Sequence, residues 1–84
     1  MKISFLASHG GSAAKHIITA IRNNALDAEI AVVITNNPHS DIYHWCRNNA
    51  VEVFYISALT HPDEDEKDAS ITQALQKAGT DLIV

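Results

Sequence analysis

Lys2-Ile3-Ser4-Phe5-Leu6-Ala7, Ser8-His9-Gly10-Gly11-Ser12 and Ala13-Ala14-Lys15-His16-Ile17-Ile18-Thr19-Ala20-Ile21 follow one another at the start of the chain. The first segment is a short, bounded apolar run, which reads as a buried strand. The second breaks it with two glycines. The third repeats apolar residues at a helical period: Ala14, Ile17, Ile18 and Ile21 fall at i, i+3, i+4 and i+7 and share a face. Strand, glycine turn and helix start form a geometry suited to an anion. Glycine lets the backbone approach closely, and the first helical N–H groups have no internal partner and sit at the positive end of the helix dipole.

Working outward, Ser12 is the expected N-cap of this helix and Asn23-Asn24 its end, since asparagine tolerates the left-handed terminus. Residues 28–34, Ala-Glu-Ile-Ala-Val-Val-Ile, form a run suited to a parallel strand covered on both faces. Thr35-Asn36-Asn37-Pro38-His39-Ser40 is turn chemistry. Ile42, Trp45 and Cys46 mark the stripe of a short helix that stops at Asn48-Asn49. Residues 51–56, Val-Glu-Val-Phe-Tyr-Ile, predict a third strand. Pro62 and the acids 63–66 open the last helix, Ile71, Ala74, Leu75 and Ala78 line it, and Gly79 ends it. Asp81-Leu82-Ile83-Val84 then reads as a further buried strand. The expected fold is α/β, an open parallel sheet in Rossmann-like β-α-β-α-β-α-β order with strand order 3-2-1-4. The bulky apolar residues at 82–84 suggest the amino-terminal part of a longer protein, whose unpaired sheet edge would invite self-association.

Composition narrows the function. Eighty-four residues make one small domain or part of one, and 46% apolar content suffices for a core. Six basic against ten acidic residues disfavour a polynucleotide partner. One cysteine, Cys46, allows no internal disulfide and points to a reducing, cytoplasmic setting. The opening apolar run is too short for a signal sequence or a membrane span.

Three familiar phosphate sites are disfavoured by residue pattern. The turn lacks the G-x-G-x-x-G spacing of a dinucleotide fold, and Asn36-Asn37 stand where the ribose-binding acid belongs. No Gly-Lys-Ser/Thr follows, which removes the Walker-type nucleotidases. Ser57 stands where a phosphoacceptor aspartate would close the third strand. His39, His44, Cys46 and His61 lack the short spacings of a metal site, so no metal ligand is expected. Cys46 falls on an apolar stripe and reads as a structural thiol. The acids 63–68 read as a solvated helix start.

The opening Met1-Lys2-Ile3 with Leu6-Ala7-Ser8-His9-Gly10-Gly11-Ser12, the run Ala28 to Pro38 and the closing Asp81-Leu82-Ile83-Val84 resemble phosphoribosylglycinamide formyltransferases in order and spacing over almost the whole chain. The family loop typically runs Ser-Gly-x-Gly-Ser-Asn; here His9 replaces a glycine and Ala13 the asparagine. The resemblance implies a folate-dependent formyl transfer in purine biosynthesis, from 10-formyltetrahydrofolate to the amine of glycinamide ribonucleotide. It implies that residues 1–84 are a partial amino-terminal domain whose loop, at Gly11, Ser12 and Ala13, holds the phosphate of a small ribonucleotide substrate. The family's catalytic asparagine, histidine and aspartate and its folate pocket lie downstream, so no catalytic residue and no activity are expected within these residues. Formyltetrahydrofolate deformylases and methionyl-tRNA formyltransferases share the fold and are the nearest alternatives. A non-catalytic phosphate- or nucleotide-binding module is the reading from a different class.

Overall fold

The computed structural model describes residues 1–8 and 10–84. Its elements are β1 (Lys2–Ala7), α1 (Ser12–Arg22), β2 (Glu29–Thr35), α2 (Asp41–Asn48), β3 (Val53–Tyr55), α3 (Glu64–Lys77) and β4 (Leu82–Ile83). The four strands are parallel, in the order β3-β2-β1-β4. The expected α/β sheet is therefore the observed one. The chain leaves β1 outward through β2 and β3, then crosses back to place β4 on the other side of β1. That reversal puts a topological switch point between β1 and β4, where open α/β sheets form their ligand crevices.

Strand alternation divides the core into two layers. Ile3 and Phe5 of β1 and Val33 of β2 pack with Ala14 and Ile18 of α1 and Ile42 and Cys46 of α2. Val32 and Ile34 point the other way and meet Ile56 and the α3 stripe of Ile71, Ala74, Leu75 and Ala78. Residues 32–34 are thus buried on both faces, which explains the unbroken apolar run. Phe5, Ile18, Val33 and Ile42 are essentially solvent-free, and each contributes about 1.5–3 kcal/mol by leaving water. The α3 layer is thinner, and no residue of α3 is fully buried.

All three helices end alike. Asn24, Ala50 and Gly79 take left-handed backbones at φ 60°, 56° and 70°. Beyond each, a 6→1 bond closes a Schellman motif: Ala25 N–H to Ala20 O, Val51 N–H to Cys46 O and Thr80 N–H to Leu75 O. This shortens the third strand relative to the expected 51–56. The N–H of Val51 is spent on the cap of α2 and leaves the ladder to begin later. Pro62 lies just outside α3, whose N-cap is Asp63; its carboxylate accepts from the N–H groups of Asp65 and Glu66.

Candidate functional site

The glycine turn meets α1 at the carboxyl end of β1. Gly11, at φ 62° and ψ 38°, is the N-cap residue, and its carbonyl accepts the first helical bond from Lys15 N–H at 2.9 Å. Ser12 is the first helical residue, which corrects the expectation that it caps the helix. The reason is packing. A Cβ on residue 11 would lie 2.7 Å from Cβ and Cγ1 of the buried Ile42, so the capping position must be a glycine that offers no side-chain acceptor. Gly10 is different: a Cβ there would meet nothing within 4 Å. His9 lies outside the described residues.

With no side-chain cap, the opening N–H groups of α1 stay available. Among the described residues, those of Ser12, Ala13 and Ala14 find no acceptor, and the first turn holds no acidic side chain. They border a cleft of about 320 Å³ lined by Ala7, Ser8, Gly11, Ser12, Ala13 and Val84. Gly11, Ser12 and Ala13 line this cleft beside the switch point, where the first turn of α1 brings no carboxylate. Such a surface can accept an oxyanion through main-chain N–H groups and the helix dipole.

A second cleft of about 220 Å³ shares Leu6, Ala7 and Ser8 with the first but opens on the α3 side, against Ile34, Thr35 and Ile71. Leu6 and Val84, both about half exposed, were not anticipated as walls of the site. The alternation of β1 could have placed Leu6, since it must face away from the buried Phe5. Val84 could be placed only through the pairing of β4 with β1, a long-range contact.

Several of the other polar residues are occupied structurally. Thr35 Oγ1 accepts from Asn37 N–H at 3.2 Å, Asn37 Oδ1 accepts from His39 N–H at 2.9 Å, and Ser40 Oγ caps α2 by accepting from Tyr43 N–H. Ser57 Oγ and Thr60 Oγ1 brace the turn after β3, accepting from the N–H groups of Leu59 and Ser57. Cys46 is fully buried, and burial pushes its thiol up to about 11 against the pull of Lys15 and Arg22, so it carries no thiolate near neutral pH. Among the described residues no three of His, Cys, Asp and Glu converge on a metal position, and no helix is long and apolar enough to cross a membrane.

A formyl transferase family model matches residues 1–84. No curated protein matches the sequence. Among solved structures, a phosphoribosylglycinamide formyltransferase from Bacillus halodurans superposes with TM-score 0.87 at 22% identity, over 99% of this chain and 43% of its own. A glycinamide ribonucleotide transformylase from Symbiobacterium toebii gives 0.89 at 24% identity, over 99% and 39%. A formyltetrahydrofolate deformylase from Pseudomonas putida gives 0.83 at 16% identity, over 98% and 28%. The chain thus spans less than half the length of each of these proteins, and at these identities the likeness is one of fold.

Proposed function

The chain belongs to the formyl transferase family, and on that premise we propose that it is the amino-terminal, substrate-phosphate-binding part of a phosphoribosylglycinamide formyltransferase. The observation that carries this reading is the set of N–H donors at Ser12, Ala13 and Ala14, facing a cleft at the switch point with no acid in the helix's first turn. A ribonucleotide monophosphate would sit at Gly11, Ser12 and Ala13, taking the free N–H groups of Ser12 and Ala13 while Gly11 lets the backbone approach closely. At Ala13 only the backbone can take part, because its side chain offers neither donor nor acceptor.

In the full protein the amine of glycinamide ribonucleotide would attack the formyl carbon of 10-formyltetrahydrofolate. The new C–N bond forms as the bond to the folate nitrogen breaks, the amine loses a proton and the folate nitrogen gains one. Groups that stabilise the tetrahedral oxyanion and move the proton are required, and losing one such donor costs about a hundred- to a thousandfold. No residue described above fills those roles, so a polypeptide of residues 1–84 is expected to be inactive. Its setting in this reading is the cytoplasm.

Deformylases among the structural neighbours support a second reading, in which the full protein releases formate from the same folate donor. That reaction has no need of a phosphorylated acceptor, so the phosphate site separates the two. The test is an amide-resolved magnetic resonance titration with glycinamide ribonucleotide and with inorganic phosphate. Gly11, Ser12 and Ala13 should move first. Largest shifts in the 39–46 region would show that the site is misplaced, and no shift with either ligand would favour the deformylase.

A further inference from the structure

The turn that carries the free N–H groups of α1 is pressed from behind by a side chain of another helix. Ile42 stands in the first turn of α2, is fully buried, and shares a core layer with Ala14 and Ile18 of α1. Its Cβ, Cγ1 and Cδ1 lie 2.7, 2.7 and 2.8 Å from the point where a Cβ on residue 11 would stand. Gly11 therefore packs against the whole length of one side chain, with its backbone at φ 62° and ψ 38°.

Ile42 is itself held firmly. The hydroxyl of Ser40, the N-cap of α2, accepts from Tyr43 N–H and donates to Asn37 O at 2.8 Å. The N–H of Asn37 in turn donates to Thr35 Oγ1 at the end of β2. Thr35 pairs with Ala7 of β1, the strand that leads into the glycine turn. The start of α2 is thus braced against the same strand ends from which the turn departs. A β-branched side chain in such a place is a stiff wall, because its χ1 is restricted.

Glycine populates left- and right-handed backbones about equally, so Gly11 does not hold its conformation by residue type alone. Its ψ orients the peptide plane that joins it to Ser12. Rotation there would swing the Ser12 N–H away from the cleft and break the bond from Lys15 N–H to Gly11 O. We infer that Ile42 is a positioning residue for this site: buried and out of reach of a ligand, it holds Gly11 left-handed and so aims the Ser12 N–H at the cleft. The consequence for an anion rests on the phosphate-binding reading proposed for the loop, whereas the hold on Gly11 stands without it.

The test pairs two readings by magnetic resonance. The amide-to-α-proton couplings of Gly11 report its φ in the free protein, and a titration with inorganic phosphate reports the site through the Ser12 and Ala13 amides. Ile42→Ala should average the Gly11 couplings and weaken phosphate binding by about fivefold or more. Ile42→Val removes Cδ1 from the contact and should fall between, and it decides the matter if the alanine variant does not fold. Ile18→Ala, the same truncation about two turns along α1 in the same layer, should lose comparable stability and leave the Gly11 couplings as they are. The inference is overturned if the folded Ile42 variants keep the parental couplings, if Ile18→Ala alters them equally, or if altered couplings leave phosphate affinity unchanged. Altered couplings in a protein whose parent does not bind phosphate would support the hold on Gly11 and overturn the phosphate-binding reading instead.

Discussion

The hydroxyl of Ser4, fully buried in β1, lies 2.6 Å from the hydroxyl of Thr80, which follows α3. Thr80 Oγ1 donates its one proton to the carbonyl of Leu75 at 2.8 Å, so Ser4 is the donor of the pair. Beside it, Asp81 accepts from Lys2 N–H through Oδ2 and donates its own N–H to Lys2 O, both at 2.8 Å. This short chain of bonds ties the end of α3 to β1. It sets the register in which β4 enters the sheet and so places Val84 at the cleft.

Disrupting the pair should reveal that coupling. Ser4→Ala removes the donor and leaves Thr80 bonded to Leu75, a loss of about 1 kcal/mol. Thr80→Val strands the buried Ser4 hydroxyl and should cost about 1–3 kcal/mol. The double variant should lose less than the sum of the singles by about 0.5 kcal/mol or more. Urea unfolding of the parent and the three variants measures this, and strict additivity would mean that the contact carries no coupling energy.

Gly11→Ala should be among the most damaging single-methyl additions in the chain. It forces a left-handed backbone on alanine and drives a Cβ to 2.7 Å from Ile42. Strain and overpacking together should cost about 2–4 kcal/mol. Ile42→Ala in the same protein will not restore stability, because its own Cβ is one of the atoms in collision. Full rescue in thermal unfolding would show that the clash involves only the outer side chain.

At Ala50 the opposite change should help. This alanine occupies the left-handed C′ position after α2 at φ 56°, while the Arg22 guanidinium donates to the carbonyls of Asn49 and Ala50. Ala50→Gly relieves the backbone and keeps both carbonyls, for an expected gain of about 0.5–1 kcal/mol. A loss of stability on denaturant titration would mean that unfolded-state entropy outweighs the relief.

Ala50 also shows where sequence reading stops. Asn24 and Gly79 announce left-handed caps by residue type, and both caps are found; an alanine gives no such sign. The stripes of α1, α2 and α3 were legible because a helical period repeats the core contact every turn. The strand order followed from right-handed crossovers, with α3 returning the chain to the side of β1 that β2 leaves open. The role of Gly11 was only half legible: glycine marks a turn, but the pressure of Ile42 on that turn arises from packing between distant segments. The same pressure made Gly11 the N-cap, against the local preference for Ser12.

Cys46 makes the stability of the fold depend on pH in the alkaline range. Its thiol is raised from 9.0 to about 11 by burial, the cause that outweighs Lys15 and Arg22. The unfolded chain therefore ionises first. The contribution is intact below pH 9 and is lost progressively as the pH rises from about 9 to about 11. The loss from this group is of order 2–3 kcal/mol. Cys46→Ala should be less stable at neutral pH but should show a shallower decline over the same interval. Parallel slopes for the two proteins would remove the thiol as the cause. In the native protein Cys46 should also resist alkylation until denaturant is added.

The edge of β4 gives the last expectation. One side of this strand is bonded to β1: Val84 N–H donates to Ser4 O at 2.9 Å, and Leu6 N–H donates to Val84 O at 3.0 Å. The sheet order leaves the other side without a neighbouring strand among the described residues. There Leu82, Ile83 and Val84 are 45%, 50% and 45% exposed. Unpaired backbone groups flanked by apolar side chains are a template for another strand, and a charged residue at an edge discourages such pairing. A polypeptide of residues 1–84 should therefore self-associate, and Ile83→Lys should shift it towards the monomer without changing its helix content. Sedimentation equilibrium over a range of concentrations decides the matter. A clean monomer at high concentration would show that the β4 edge does not recruit a partner strand, and association unaffected by Ile83→Lys would place the contact elsewhere.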